Sequence, residues 1–231
     1  MNNMDINKYI KDNNVFHPNE ELRKEYSTKF VWKKNWVLSD WTIKNYVRRW
    51  IIWLETTNKE LVTQEQILNH TNVSTTDVTL AYDFKRQQNV EWWVIDTKNK
   101  NQKIEFEEFT CTKEEWLIVY PWDFILWRTN EVLDLPSFID CIIIWRSSIA
   151  RQGLQMECAG YIDWWFRGTI TLEITNFSKF PIRIYPGQRI GQLRFEFLDA
   201  IPELHYWNKK DSKYQWQIEA TTSRLNKDKI L

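Results

Sequence analysis

The stretch AGYIDWWFRGTITLEIT, residues 159–175, holds both the clearest strand signal in the chain and its oddest turn. In TITLEIT, Ile170, Leu172 and Ile174 alternate with Thr171, Glu173 and Thr175. That period of two, rich in β-branched residues, predicts a half-buried strand with Glu173 on the face opposite Leu172 and Ile174. Just upstream, AGYIDWWFRG reads as a tight turn between two strands, yet Trp164 and Trp165 stand at its apex. Turn apices favour Gly, Asn, Asp or Pro, which tolerate positive φ or pre-set the bend. Tryptophan does neither.

Working outward, DVTLAYDF (77–84), WLIVY (116–120), DFILW (123–127), CIIIW (141–145), FPIRIY (180–185) and QLRFEFL (192–198) carry the same β-branched and aromatic signature. So many short strands with turn punctuation predict a mainly β fold, a distorted barrel or jelly-roll-like subunit with a few short helices. One helix is predicted within VLSDWTIKNYVRRWIIW (37–53), with Ser39 or Asp40 as N-cap and Ile43, Tyr46 and Val47 on one face. Arg48 and Arg49 complement the dipole of its last turn. Its C′ position favours glycine, and the residue there is Trp50.

Residues 1–35 are charged and Asn-rich and read as an N-terminal extension; 36–204 form the β domain; 205–231 form a polar tail. The 231 residues carry a formal net charge of zero, which gives no polyanion-binding field. No apolar run reaches membrane-spanning length, and the polar start is not a secretory signal, so a cytoplasmic protein is expected. Cys111, Cys141 and Cys158 lack C-x-x-C spacing, and His17, His70 and His205 are dispersed, so no tetrahedral zinc site is encoded.

Composition is abnormal in one respect. Average usage of about 7% glycine predicts about 16 in such a chain; there are 5, against 15 tryptophans. An internal control sharpens the point. Tyr185-Pro186-Gly187 sits between two strand runs with Pro and Gly at the central positions of a type II turn, and Tyr120-Pro121-Trp122 occupies the same context. The turn grammar is the same, with Trp in place of Gly.

The block WRSSIARQGLQMECAGYIDWWFRGTITLE (145–173) resembles the dCTP deaminase family of the dUTPase-like superfamily. Arg146, Ser147, Ser148, Ala150, Arg151, Gly153 and Leu154 match its GRSS-x-AR-x-G-L motif, and Ala159, Ile162, Asp163, Phe166, Gly168, Leu172 and Glu173 its A-x-x-ID-x-G-[FYW]-x-G…L-E pattern. The likeness extends through VLSD (37–40), TTDVTL (75–80), PWDFILWRTNEVLDLP (121–136), PGQRIGQLRFE (186–196) and KYQWQIEATTSR (213–224). Trp122, Trp145, Trp165 and Trp216 fall on family glycines. A genetic code that reads UGA as glycine, translated with a table that reads it as tryptophan, would produce this pattern. Trp164 is a further candidate; Trp92, Trp93 and Trp116 are not assigned.

Hydrolytic deamination of cytosine needs a water at C4 and a group to carry its proton to the departing ammonia. Without zinc, a carboxylate must do both, and Glu173 is the candidate. The resemblance implies the same: Glu173 activates the water, while Ser147, Arg151 and the Ala159 carbonyl place it. Asp163 is expected to hold the deoxyribose, and Tyr161 to be an aromatic packing residue. Arg146, Ser147 and Ser148 form a compact donor cluster for a triphosphate, with Mg²⁺ carried by the nucleotide. The resemblance further implies that Tyr206, Lys213 and Gln217 belong to a C-terminal lid that orders over bound nucleotide, and that subunits form homotrimers with sites at their boundaries. The tail departs from Q-x-G-P-T-x-S-R by reading Q-I-E-A-T-T-S-R, so Glu219 brings a negative charge near the phosphates, and the stretch between Leu154 and Ala159 is one residue short. The expected reaction is dCTP to dUTP and ammonia, with dTTP a candidate inhibitor. The alternatives are a bifunctional enzyme that continues to dUMP and pyrophosphate, and a nucleotide-binding regulator without catalysis.

Overall fold

A computed structural model describes residues 37–88, 94–99, 101–102, 104–156, 160–200, 202 and 213–225. The expected N-terminal extension therefore lies outside the described residues. The strands are β1 Trp53–Thr56, β2 Thr76–Gln87, β3 Phe106–Thr110, β4 Leu117–Val119, β5 Phe124–Thr129, β6 Glu131–Asp134, β7 Ile139–Trp145, β8 Leu154–Met156, β9 Tyr161–Ile162, β10 Arg167–Gly168, β11 Thr171–Asn176, β12 Ile182–Ile184 and β13 Arg189–Phe197. Among the described residues three short helices join them: α1 Asp40–Arg48, α2 Gln64–Asn69 and α3 Ser147–Ala150. The fold is mainly β, as the strand runs predict.

Twelve-residue β2 is the spine. Its first half, Thr76–Thr79, pairs with β13; after a register shift between Leu80 and Phe84, its second half pairs with β5 on one side and β3 on the other. One strand thus serves two walls, because a bulge bends and twists it. The principal sheet runs β8-β11-β5-β2-β13-β7-β9, with β3 also on β2; β1-β6-β10 and β12-β4 form two smaller sheets. Every pairing between these strands is antiparallel; the isolated bridge Gly168↔Gln217 is parallel.

The core fills from the inward faces. On β11, Leu172 and Ile174 are fully buried while Glu173 is not, the alternation that TITLEIT predicts. Trp127 on β5 is fully buried, donates its indole N–H to the Ala81 carbonyl at 2.8 Å and lies tilted on Phe84. A large apolar side chain with a satisfied polar tip is what a core tryptophan needs. The buried carboxylate of β6 is paired as well. The Glu131 carboxylate accepts from Thr79 N–H at 2.9 Å and Thr79 Oγ1 at 2.8 Å, and burial pushes its pKa up to about 7.

Helix α1 buries Ile43, Tyr46 and Val47 as its spacing predicts. Ser39 stands at the N-cap without a side-chain cap bond. At the other end, Ile51 N–H donates to Tyr46 O and Trp50 N–H to Val47 O, the paired bonds of a Schellman ending. Trp50 accordingly has φ 59°. The two Tyr-Pro turns are also superimposable in kind: φ is 70° at Trp122 and 75° at Gly187.

At Trp145, matched to a family glycine, the backbone makes no demand for one. Trp145 ends β7 without a positive φ, and its indole donates to Leu154 O at 2.8 Å; the extended backbone accepts a side chain there. Trp164 likewise has no positive φ and is buried. Cys111 and Cys141 are free and buried, and burial pushes both thiols up, away from reactive thiolate chemistry. Cys158 lies outside the described residues. No helix among the described residues is long and apolar enough to cross a membrane.

Candidate active site

The turn after β9 and the strand β11 meet at a cavity of about 760 Å³. Glu173 and Thr171 line it from β11, Phe124 and Leu126 from the neighbouring β5, and Gly160, Tyr161, Ile162 and Asp163 from β9 and its flanks. Register explains the grouping. Glu173 sits opposite Leu126 in the β11–β5 ladder, so both project to one face of the sheet. Asp163 follows β9, which hydrogen-bonds to β7 through Ile162↔Cys141 and Tyr161↔Ile142. The site thus places one carboxylate on a strand and another at a turn, on an apolar floor. Its volume suits a small-molecule ligand.

The turn itself closes by Phe166 N–H donating to Asp163 O at 3.1 Å. Trp165 is the third residue of that four-residue turn and has φ 61°, the position that a type II turn reserves for glycine. The carbonyl of Trp165 accepts from Gln215 Nε2 at 2.7 Å, and Arg167 N–H donates to Gln215 Oε1 at 2.8 Å. The C-terminal segment is fastened here. Trp216 N–H donates to Arg167 O, Thr169 N–H donates to Gln217 O, and Thr221 N–H donates to Thr171 Oγ1 at 3.1 Å. A Cβ on Gly168 would lie 2.5 Å from Gln217 O, so glycine there is what lets the tail pass. Residues 213–225 are held to β10 and its flank by backbone-to-backbone bonds and to β11 by the Thr171 hydroxyl, and Tyr214, Gln217 and Thr221 line the cavity.

The sequence-predicted residues separate into three groups. Asp163, Glu173 and Gln217 line the cavity together. Gln217 Nε2 donates to Thr169 O at 2.8 Å, while its buried Oε1 has no partner among the described residues. Arg146, Ser147, Ser148 and Arg151 do not line it; they lie beyond the end of β7, around α3, with Ser147, Ser148 and Arg151 exposed. Lys213 does not line it either, and Glu219 is exposed and points no charge into it. Ala159 and Tyr206, and the shortened part of the 154–159 loop, lie outside the described residues.

Arg146 is held in place from below. Asp77, fully buried on β2, receives Arg146 Nε at 3.5 Å, Arg189 Nη1 at 3.1 Å, Gln192 Nε2 at 2.8 Å and Asn72 Nδ2 at 3.0 Å. Two guanidiniums over one carboxylate leave an excess of positive charge at the surface, which favours an anion. Burial, with Arg189 adding to it, holds the nearby His70 below the usual imidazole range.

Two contributors were not legible from residue types. Tyr161 is a cavity residue as well as an aromatic; its hydroxyl donates to Asp140, and that bond drives the phenol pKa up while burial raises the Asp140 carboxyl. The loop between β2 and β3 supplies Ile95, Asp96, Thr97, Asn99 and Gln102 to the opposite wall. Gln102 organises that loop, accepting from Asp96 N–H at 2.7 Å and donating to Val94 O at 3.0 Å. Its polar composition carries no signal for such a role. Among the described residues no group of three His, Cys, Asp or Glu is placed to hold a metal.

The chain is 35% identical over 195 residues to a dUMP-forming dCTP deaminase of Methanobrevibacter smithii, covering 83% of this chain and 96% of that one. It is 35% identical over 192 residues to the dUMP-forming dCTP deaminase of Hydrogenobaculum sp., covering 83% and 97%. In three dimensions it resembles the crystal structure of 2′-deoxycytidine 5′-triphosphate deaminase from Agrobacterium tumefaciens, with a TM-score of 0.55 and 18% identity; the match covers 72% of this chain and about half, 49%, of that one. Residues 37–198 match the dCTP deaminase-like family, and the chain belongs to it.

Proposed function

We propose that the protein is a dCTP deaminase that releases ammonia, dUMP and pyrophosphate, so that dCTP + 2 H₂O → dUMP + NH₃ + PPi. This replaces the simpler conversion to dUTP as the leading reading, because the relatives that span the same length are named dUMP-forming. The observation that carries it is the convergence of Glu173 and Asp163 on one cavity of small-molecule size.

In this reading Glu173 takes a proton from a water attacking C4 of the cytosine, and the tetrahedral carbon collapses as the same carboxyl delivers a proton to N4. Asp163 orients the sugar and Gln217 closes the wall. A second water attacks the α-phosphorus, and pyrophosphate leaves with Mg²⁺, which enters as part of the nucleotide complex. Arg146, Ser147, Ser148 and Arg151 stand too far round the barrel to line their own cavity. The reading therefore includes a homotrimer in which these donors, from one copy, complete the cavity of the next: the arginine and serines toward the phosphates, Ser147 and Arg151 toward the attacking water. Ala159 and Tyr206 keep the roles that the resemblance implies.

The test is direct. Incubate the purified protein with dCTP and Mg²⁺ and quantify ammonia, dUTP, dUMP and pyrophosphate. Equal yields of ammonia, dUMP and pyrophosphate are expected. Accumulation of dUTP equal to ammonia restores the monofunctional reading, and nucleotide binding without ammonia favours a regulator. Glu173→Gln should lower ammonia release by at least about a thousandfold, within the range general acid–base catalysis supplies, with dCTP binding retained.

A further inference from the structure

Among the described residues, four that are not glycine have a positive φ: Trp50 at 59°, Trp122 at 70°, Trp165 at 61° and Trp216 at 62°. All four are tryptophan. With 15 tryptophans in 231 residues, four independent positions falling on this type is a negligible coincidence. The side chain does not explain it either, since the left-handed region is open to glycine and, far less, to Asn and Asp, while a bulky residue there is an outlier.

Each backbone has a local reason to be left-handed that owes nothing to an indole. Trp50 occupies C′ of the Schellman ending of α1. Trp122 and Trp165 are third residues of turns closed by Asp123 N–H to Tyr120 O and Phe166 N–H to Asp163 O. Trp216 turns the tail so that its own N–H reaches Arg167 O and Gln217 aligns beside Gly168. Trp122 is 72% exposed. Trp127 shows what a tryptophan with a role looks like: ordinary φ, full burial and a bonded indole N–H.

We propose that positions 50, 122, 165 and 216 are glycine in the protein the cell makes, because the codon at these positions is translated as glycine there. The backbone makes no such demand at Trp145 or Trp164. Two of the four flank the site, one in the turn after Asp163 and one in the segment fastened to it. Replacing their indoles by hydrogen removes two bulky rings where the tail approaches the cavity.

Peptide mass spectrometry of the protein isolated from its own source reads the four positions directly, beside the codons that specify them. Glycine masses and UGA codons are expected. Tryptophan masses, or UGG codons, overturn the proposal. An independent arm compares the chain as written with its W50G/W122G/W165G/W216G variant in thermal unfolding. Tm should rise by on the order of 10 °C in the variant, whereas W127G should lower it. An equal or lower Tm in the fourfold variant overturns the backbone argument. Neither arm depends on which reaction the site performs.

Discussion

The turns at Tyr120–Asp123 and Tyr185–Gln188 are the same object built twice, with Trp against Gly at the third position and Asp against Gln at the fourth. In each, the fourth residue's N–H donates to the tyrosine carbonyl, at 3.0 and 3.1 Å. In each, that fourth residue's side chain accepts from the tyrosine N–H, through Asp123 Oδ2 at 2.9 Å and Gln188 Oε1 at 3.1 Å. The third residue's N–H is captured from outside, Trp122 by Asn176 O at 2.8 Å and Gly187 by Leu80 O at 2.7 Å. Their φ angles differ by little, yet one apex is Trp and the other Gly. The hydrogen bonds around the apex therefore dictate the left-handed backbone, and the apex residue only suffers or suits it.

The largest effect separates tryptophans that suit their place from those that do not. Trp127→Ala should cost about 3–5 kcal/mol in denaturant unfolding, since it empties a fully buried site and leaves Ala81 O without its donor. A near-neutral result would mean that burial does not distinguish the two kinds of tryptophan. Next, Gly187→Trp installs in the second turn what the first already carries. A left-handed non-glycine residue costs ~1–3 kcal/mol, and a Cβ at 187 would lie 3.3 Å from Leu61 Cδ2. A loss of about 3 kcal/mol in the same measurement is expected, without a change in the principal sheet.

The reverse exchange, Trp122→Gly, should stabilise by a smaller amount. Relief of the left-handed strain, ~1–2 kcal/mol, is offset by the extra unfolded-state freedom of glycine, ~0.4–1 kcal/mol. A net gain of roughly 1 kcal/mol in urea unfolding follows. Loss of stability would show that the Trp122 ring, which meets Phe177 edge-on with centroids 5.4 Å apart, contributes more than its backbone costs.

The same contrast marks what was legible in the sequence. Local chemistry was: the alternation in TITLEIT, the apolar face of α1, and the glycine demand at Trp50 and Trp122, each set by neighbours within a few residues. The capping box of α2, Thr63 with Gln66, was there to be read in TQEQ and was missed because so short a helix shows no periodicity. Two-residue β9 and β10 exist only through their partners on β7 and β6, so no local signal could announce them. At the site, Glu173 and Asp163 were legible because motif and strand direction agreed. The β2–β3 loop and the tie from Tyr161 to Asp140 were not, because both depend on distant segments meeting. At Trp145, also matched to a family glycine, the strand backbone makes no demand in either direction.

The smallest effect distinguishes the two turns by what lies behind them. The Gly187 turn rests on Leu80, and Leu80 N–H donates in return to Gln188 O. The adjoining Thr79 holds the Glu131 carboxylate. The Trp122 turn rests instead on Asn176, whose neutral amide donates to Val119 O and Phe180 O, both at 2.8 Å. Glu131 has a folded pKa raised to about 7 by burial, above its value in the unfolded chain. Between the ordinary carboxylate pKa and about 7 the unfolded chain therefore holds fewer protons than the folded one. Stability from this group is complete below that window and declines as pH rises through it. Glu131→Gln should flatten that decline, read as urea stability at pH 5 and pH 8, and leave the pH 5 value nearly unchanged. Hydrogen exchange corrected for intrinsic rates should weaken with pH at Gly187 and Leu80 but not at Trp122. Equal pH dependence at both turns would show that Glu131 titrates only with global unfolding, and that what lies behind the turns does not set them apart.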